Sequence, residues 1–419
     1  MNAPQTRARL ALVASGPDDL AYDPYDSDID AAPHAVWRRL RDEAPLYYNE
    51  QYDFYAVSRF ADVMAAALDW QTYSSARGTV LEIIDTTPPV PDADSAGDGY
   101  GMMIFMDPPG HDDLRRLVSR AFTPRRVVAL EDRTRELCAQ FLDPQRDGNG
   151  FDYVEDFAAK IPAMLIGALL GVPSEDQDQL RIWGDLLMRF EPDGISADKL
   201  DAITSLNTYM TAMVTDRQQH PRDDMVSDLL AAEITRDDGS VRRLGFDEVM
   251  GFFTLLQLAG SETTARLLGW GAVLLARHPD QRAKLVASPG LVPNAVEELL
   301  RYEAPSPIQA RFVTRDVEWH GQKVPKYSKL AMLTGSAGRD EREFVEPDHF
   351  DVERVFDRHV TFGYGIHFCL GANLARLEGK IVLEETLARV PHWDVDEAAV
   401  EMVRTSTVRG PVYVPVTLF

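Results

Sequence analysis

Cysteine is almost missing from this chain: Cys138 and Cys369 are its two thiols in 419 residues. No disulfide framework can hold such a chain together, and a reducing, cytoplasmic location is expected. Positive charge is also scarce. Against 67 acidic residues stand 43 basic ones, a formal charge of −24 that repels nucleic acid and anionic lipid over most of the surface, so nucleic acid is excluded as a partner. Long uninterrupted apolar runs are lacking as well. The most apolar stretch, 249–276, is broken by Gln257, Ser261, Glu262, Thr263, Thr264 and Arg266, which predicts a helix buried in protein and no membrane anchor. The apolar segment 10–14 is too short for the core of an export signal. Neither a fixed-period repeat nor a Gly/Ser linker is found. What remains, 45% apolar and 26% charged, is the composition of a globular protein of enzyme size.

Residues 1–30, rich in Asp, Pro and Ala without periodicity, predict a flexible arm, followed by a single domain over 31–419. Helical spacing predicts helices over 33–43 and 59–69, nearly throughout 109–232, and over 244–277, 279–287, 292–303 and 371–389. Aromatic and β-branched residues predict strands at 46–49, 54–58, 309–319 and 329–335. Residues 72–110 suggest no helix, and the run TTPPVPDADSAGDGYG (86–101) breaks regular structure, which reads as a binding loop or lid. The class is mainly α.

The segment FGYGIHFCLGANLARLE (362–378) carries the strongest chemical signal. Gly363, Gly365 and Gly371 surround Cys369 and let the backbone approach a flat group closely, and good helix formers follow at once. A thiolate at a helix N-terminus is favoured by the dipole and by free N–H groups. Such a cysteine is either a nucleophile or a metal ligand. His367, two residues away, is a poor match for the remote base of a Cys–His pair. A structural zinc site needs more Cys and His than are present. A lone thiolate among glycines suits axial ligation of haem iron.

The segment resembles the haem-binding signature of the cytochrome P-450 family, Phe-Gly-x-Gly-x-His-x-Cys-x-Gly, at Phe362, Gly363, Gly365, His367, Cys369 and Gly371. That resemblance extends over about 35–419 and implies a helical triangular prism with a smaller β-rich region, holding haem b between the long helix and the Cys369 loop. LAGSETT (258–264) is similar to the family's acid–alcohol element, which implies that Glu262 and Thr263 deliver protons during dioxygen activation. Glu298 and Arg301, three apart on one helix, with Arg354, resemble the family's buried triad and imply a structural role. His111, Arg115 and Arg311, with His367, match propionate-binding positions, and Ala259 lies on the haem side of the long helix. Gly110, Tyr327 and Gly338 depart from the usual family residues.

The implied reaction is monooxygenation: one oxygen atom goes into a C–H bond or across a double bond of a lipophilic small molecule. Leu255, Leu258, Ala259, Ile308, Gln309 and Thr407 are expected in the substrate pocket, with the 79–105 loop and the region 183–190. Arg77 or Arg189 is a candidate partner for a substrate carboxylate. Electrons are expected from a separate ferredoxin and its NAD(P)H-dependent reductase, docked on Arg115, Arg116, Arg120, Arg125, Arg126 and Arg376. A monomer is expected. Three alternatives stay open: a peroxide-driven peroxygenase on the same fold, a non-catalytic haem sensor, and a haem-free Cys hydrolase.

Overall fold

A helix of 32 residues, Phe246–Arg277, runs through the middle of the protein. Its apolar residues are distributed around the whole circumference, so it is stable only when covered on all sides. The helices Lys160–Leu170, Gln177–Met188 and Ala372–Arg389 all pack on it. Its start is fixed by Glu248, whose carboxylate accepts from the backbone N–H of Gly245 at 2.8 Å. It stops before Pro279, which opens the next helix, Pro279–Ala287. This computed structural model describes residues 20–86, 102–119, 122–189, 191, 194–235, 239–403, 405 and 407–419. Among them, no helix is long and apolar enough to cross a membrane.

The largest sheet has five strands in the order Leu46–Asn49, Phe54–Val57, Lys329–Met332, Gln309–Val313 and Tyr73–Ser74. Lys329–Met332 is parallel to Phe54–Val57, with Ala331 opposite Ala56, and antiparallel to Gln309–Val313, with Leu330 opposite Arg311. Because side chains alternate across a strand, Gln309 and Arg311 share one face while Ile308 and Ala310 take the other.

Several expectations need correction. The strand expected over 309–319 is two: Gln309–Val313 stays in the large sheet, and Val317–Trp319 pairs with Gln322–Val324 in a separate hairpin. The strand expected at 329–335 ends at Met332, and Thr334–Ala337 is a short helix. A helix, Leu81–Thr86, lies within 72–110, where none was expected; residues 87–101 of the expected lid lie outside the described residues. Three-stranded pairing of Gly150–Asp152, Pro415–Leu418 and Trp393–Val395 had no clear sequence signal because each strand is only three or four residues long. Of the flexible arm expected over 1–30, residues 20–30 are packed into the fold. Tyr22 is buried with Trp37 and Leu40, and Ser27–Ala31 is a helix capped by Asp26; residues 1–19 lie outside the described residues.

The three departures from the family's pattern have different local settings. Nothing crowds a Cβ at Gly110. Tyr327 holds a left-handed φ of +76° and stacks on Phe312 with centroids 5.7 Å apart. A Cβ at Gly338 meets the carbonyl oxygen of Arg301 at 2.3 Å, so this contact admits only glycine without a shift.

Candidate functional site

A cavity of about 750 Å³ lies between the long helix and the Cys369 loop. The loop's shape follows from its glycines. Gly363 and Gly365 adopt φ of +70° and +69°, and a Cβ at Gly365 meets the Ala67 carbonyl oxygen at 2.7 Å. The Cys369 N–H donates to the Phe362 carbonyl at 2.8 Å, closing the loop beneath the thiol. Gly371 caps the helix Ala372–Arg389, and the space where its Cβ would stand is open to 4 Å.

The Cys369 thiol lies deep in the protein yet faces the cavity. Burial pushes its pKa up, against the backbone N–H groups of Gly371 and Ala372 and the cations Arg115 and Arg376. The helix N-terminus does favour the thiolate, as expected, but desolvation outweighs it.

The long helix supplies the facing wall. Ser261 and Thr263 hydroxyls donate back to the carbonyls of Gln257 and Ala259, at 2.8 and 3.0 Å. The helix nevertheless runs unbroken here, and Gly260 serves close packing: a Cβ on it meets Ile166 at 2.7 Å. Glu262 is buried, and its Oε2 has no hydrogen-bond partner. Burial raises its pKa to about 7, tempered by Arg266 and reinforced by Asp185. Glu378, on the helix after Cys369, also lines the cavity. Both its carboxyl oxygens are buried without a hydrogen bond. Its pKa rises to about 8 through burial, and nearby Thr264 lowers it only partly. Sequence reading missed Glu378; an acid amid the apolar residues of LARLEGKIVL was the available signal.

At one edge His367 lines the cavity, and His111, off the lining with its Nδ1 paired to Asp112 at 2.9 Å, packs on it. His111 and His367 rings meet edge to face at 4.6 Å, and both Nε2 atoms are buried without a hydrogen bond. Burial, with Arg311, His111 and Arg115 close by, holds His367 down at about 2, so its ring is neutral. Arg311 is pushed down to about 10 by burial, against the pull of Asp107. Among the described residues it hydrogen-bonds within its own strand, from Nη1 to the Ala310 carbonyl at 2.7 Å. Arg115 lines the cavity and is likewise pushed down by burial.

Leu255, Leu258, Ala259, Gln309 and Thr407 line the cavity, as do Phe362 and Gly363. Ile308 does not. Strand alternation turns it away, and it packs on the Tyr22–Trp37 cluster. Arg77 is not at the cavity wall either; its guanidinium lies over the Phe312 ring at 4.4 Å and donates to the Ile84 carbonyl. Arg189, Leu187 and Met188 reach the lining; Phe190 is outside the described residues. Of the expected docking cations, Arg115 is turned inward and Arg376 pairs with Glu297 at 2.6 Å. Arg116, Arg125 and Arg126 are exposed, and Arg120 is outside the described residues.

Away from the cavity, Glu298 is fully buried and receives both Nε and Nη2 of Arg301, at 2.7 and 2.8 Å, and Nε of Arg354 at 3.1 Å. Arg301 also donates to the carbonyls of Gly338 and Pro347, tying the helix Val292–Tyr302 to the chain leading into the Cys369 loop.

The family model for cytochrome P450 matches residues 82–288 and 290–402. The chain belongs to the cytochrome P-450 family. Cytochrome P-450 130 of Mycobacterium tuberculosis is 37% identical over 398 residues, covering 91% of this chain and 94% of the relative. The vitamin D(3) 25-hydroxylase of Pseudonocardia autotrophica is 36% identical over 414 residues, covering 98% and 99%. Among solved structures, CYP109Q5 from Chondromyces apiculatus superposes with a TM-score of 0.83 at 33% identity, over 95% of this chain and 98% of that one. CYP109E1 from Bacillus megaterium, in complex with testosterone, gives 0.82 at 30% identity, over 93% and 99%. This cytochrome P-450 is therefore a monooxygenase with a haem-thiolate cofactor, on the family's mainly α fold. The residues around its cavity fit that group: a thiol faces open space, glycine leaves room at 371, and buried imidazole nitrogens without partners stand beside two desolvated arginines.

Proposed function

We propose that this cytochrome P-450 oxygenates a lipophilic small molecule in the cavity above Cys369, with haem b as its cofactor. The observation that carries the reading is a single cavity lined at once by the Cys369 thiol, the acid Glu262 and an apolar wall that includes Leu255, Leu258 and Ala259. When bound, the haem supplies reductive activation of dioxygen and insertion of one oxygen atom into the substrate. Cys369 holds the iron through its sulfur. Arg115 and Arg311 take the propionates, charge meeting carboxylates at the cavity edge, and His111, whose Nδ1 already pairs with Asp112 at 2.9 Å, offers its Nε2; His367 adds a ring nitrogen. Glu262, poised near neutrality, holds a proton at its carboxyl and releases it toward the cavity, and Thr263 orients the waters that carry it. Leu255, Leu258 and Ala259 exclude bulk water from the substrate side, and Gln309 and Thr407 supply polar contacts.

The relatives support the substrate class: they include a protein named for vitamin D(3), one named for polyketide biosynthesis and a structure with testosterone. Electrons would come from a ferredoxin and its NAD(P)H-dependent reductase. Exposed Arg116, Arg125 and Arg126 give that acidic partner a cationic contact on an otherwise acidic, monomeric, cytoplasmic protein. The test is the absorption spectrum of the dithionite-reduced protein with carbon monoxide. The red-shifted Soret band of thiolate-ligated haem is expected in the wild type and its loss in Cys369→Ala; a variant that keeps the band overturns the reading.

A further inference from the structure

Gln309 stands where the wall of the cavity meets a small polar knot. Its amide nitrogen donates to Ser306 Oγ at 2.7 Å and to Thr407 Oγ1 at 3.2 Å. Both hydroxyls have already spent their protons. Ser306 Oγ donates to the Thr407 carbonyl at 3.0 Å, and Thr407 Oγ1 donates to the Ile308 carbonyl at 2.8 Å. A hydroxyl has one proton and two lone pairs, so here each can only accept from the amide. Turning the amide over would need both hydroxyls to donate to it, abandoning two backbone carbonyls. The network therefore sets the amide one way round, with both N–H groups pointing into the wall. Among the described residues its carbonyl oxygen has no hydrogen-bond partner, and the residue lines the cavity. Gln309 shares its strand face with Arg311, one side-chain repeat away, so this acceptor lies close to the edge where the desolvated cations gather.

We infer that Gln309 is a specificity residue: its fixed carbonyl oxygen selects, among lipophilic substrates, those that carry a hydroxyl or N–H donor at the end held beside the large sheet. Once a lipophilic ligand fills the cavity, an acceptor left unpaired against it is costly; a ligand donor offsets that cost, while a ligand ketone meets oxygen against oxygen. This inference rests on the lipophilic-substrate reading above and narrows it. The alcohol is not consumed by the contact; it anchors one end of the molecule while another carbon faces the reacting centre.

The test uses haem-loaded protein and three probes on one skeleton: androstanol, androstanone and androstane, which carry a hydroxyl, a ketone or neither at the same carbon. Dissociation constants come from the spin-state change in the absorption spectrum. The wild type is expected to bind androstanol about fivefold or more tighter than androstanone, the scale of one neutral hydrogen bond. In Gln309→Leu the alcohol-to-ketone ratio is expected to fall to about one, with androstane bound as in the wild type. In Ser306→Ala/Thr407→Val the amide is free to turn, and the ketone is expected to bind about as well as the alcohol. A purely structural role for Gln309 would shift all three ligands together. Equal binding of alcohol and ketone by the wild type, or a ratio unchanged in Gln309→Leu, overturns the inference and leaves the monooxygenase reading intact. No spin-state change with any of the three overturns the lipophilic-substrate reading itself, and absence of the reduced carbon monoxide band overturns both.

Discussion

Four buried glutamates divide into two regions with opposite electrostatics. On the helix Val292–Tyr302 Glu298 lies between Arg301 and Arg354, and at its C-terminal end Glu303 is surrounded by His34, Arg339 and Arg409. Those neighbours hold the Glu303 carboxyl well below the usual carboxylate range, against the cost of its burial. On the cavity wall, Glu262 and Glu378 are just as removed from water, but burial wins and both pKa values rise, to about 7 and about 8. The side chain is the same in each case; the difference is whether cations are within hydrogen-bond reach. One region pins loops through carboxylates bonded to cations, and the other keeps acids able to gain and lose a proton near neutral pH.

The largest effect is expected from Arg301→Met. It strips the two shortest contacts from a fully buried carboxylate and frees two backbone carbonyls, so urea unfolding should show a loss of about 3–5 kcal/mol. A loss within about 1 kcal/mol would show that Arg301 does not hold this buried carboxylate in place. Glu303→Gln comes next, at about 3 kcal/mol near neutral pH. The Glu303 pKa is depressed on folding, so its contribution is present above the ordinary carboxylate pKa and is lost as pH falls through the folded value. Wild-type and variant stabilities should therefore converge in acid; parallel curves would contradict the assignment.

Glu262→Gln should behave in the opposite sense. A raised carboxyl pKa favours the folded state below the ordinary value near 4.5, and that contribution disappears as pH rises to about 7. The neutral amide avoids this, so thermal or urea unfolding should show the variant gaining on the wild type across that interval by up to about 3 kcal/mol. Its turnover, measured as ferredoxin-dependent product formation, should fall about 100-fold. A stability difference that does not change between pH 4.5 and 7 would show that Glu262 titrates as an ordinary surface acid. Smallest is Gly338→Ala, where the new Cβ presses on the Arg301 carbonyl and should cost about 1–2 kcal/mol by the same unfolding assay.

Local chemistry was legible in the residues themselves. Glycines at 363, 365 and 371 around one cysteine announced a tight loop and a ligand, and the all-round apolar run at 249–276 announced a central helix, because both signals are written in neighbouring side chains. Glu298 with Arg301 was legible as a pair for the same reason: three residues on one helix suffice to join them. Tertiary structure decided the rest. Only the fold sets Glu303 among cations that are distant in sequence while leaving Glu378 without a hydrogen bond, turns Ile308 away from the cavity while Gln309 faces it, and points Arg115 inward while Arg116 stays outside. The charge a buried group carries and the direction it faces depend on atoms tens or hundreds of residues away, and one residue of strand or a fraction of a helical turn reverses either outcome.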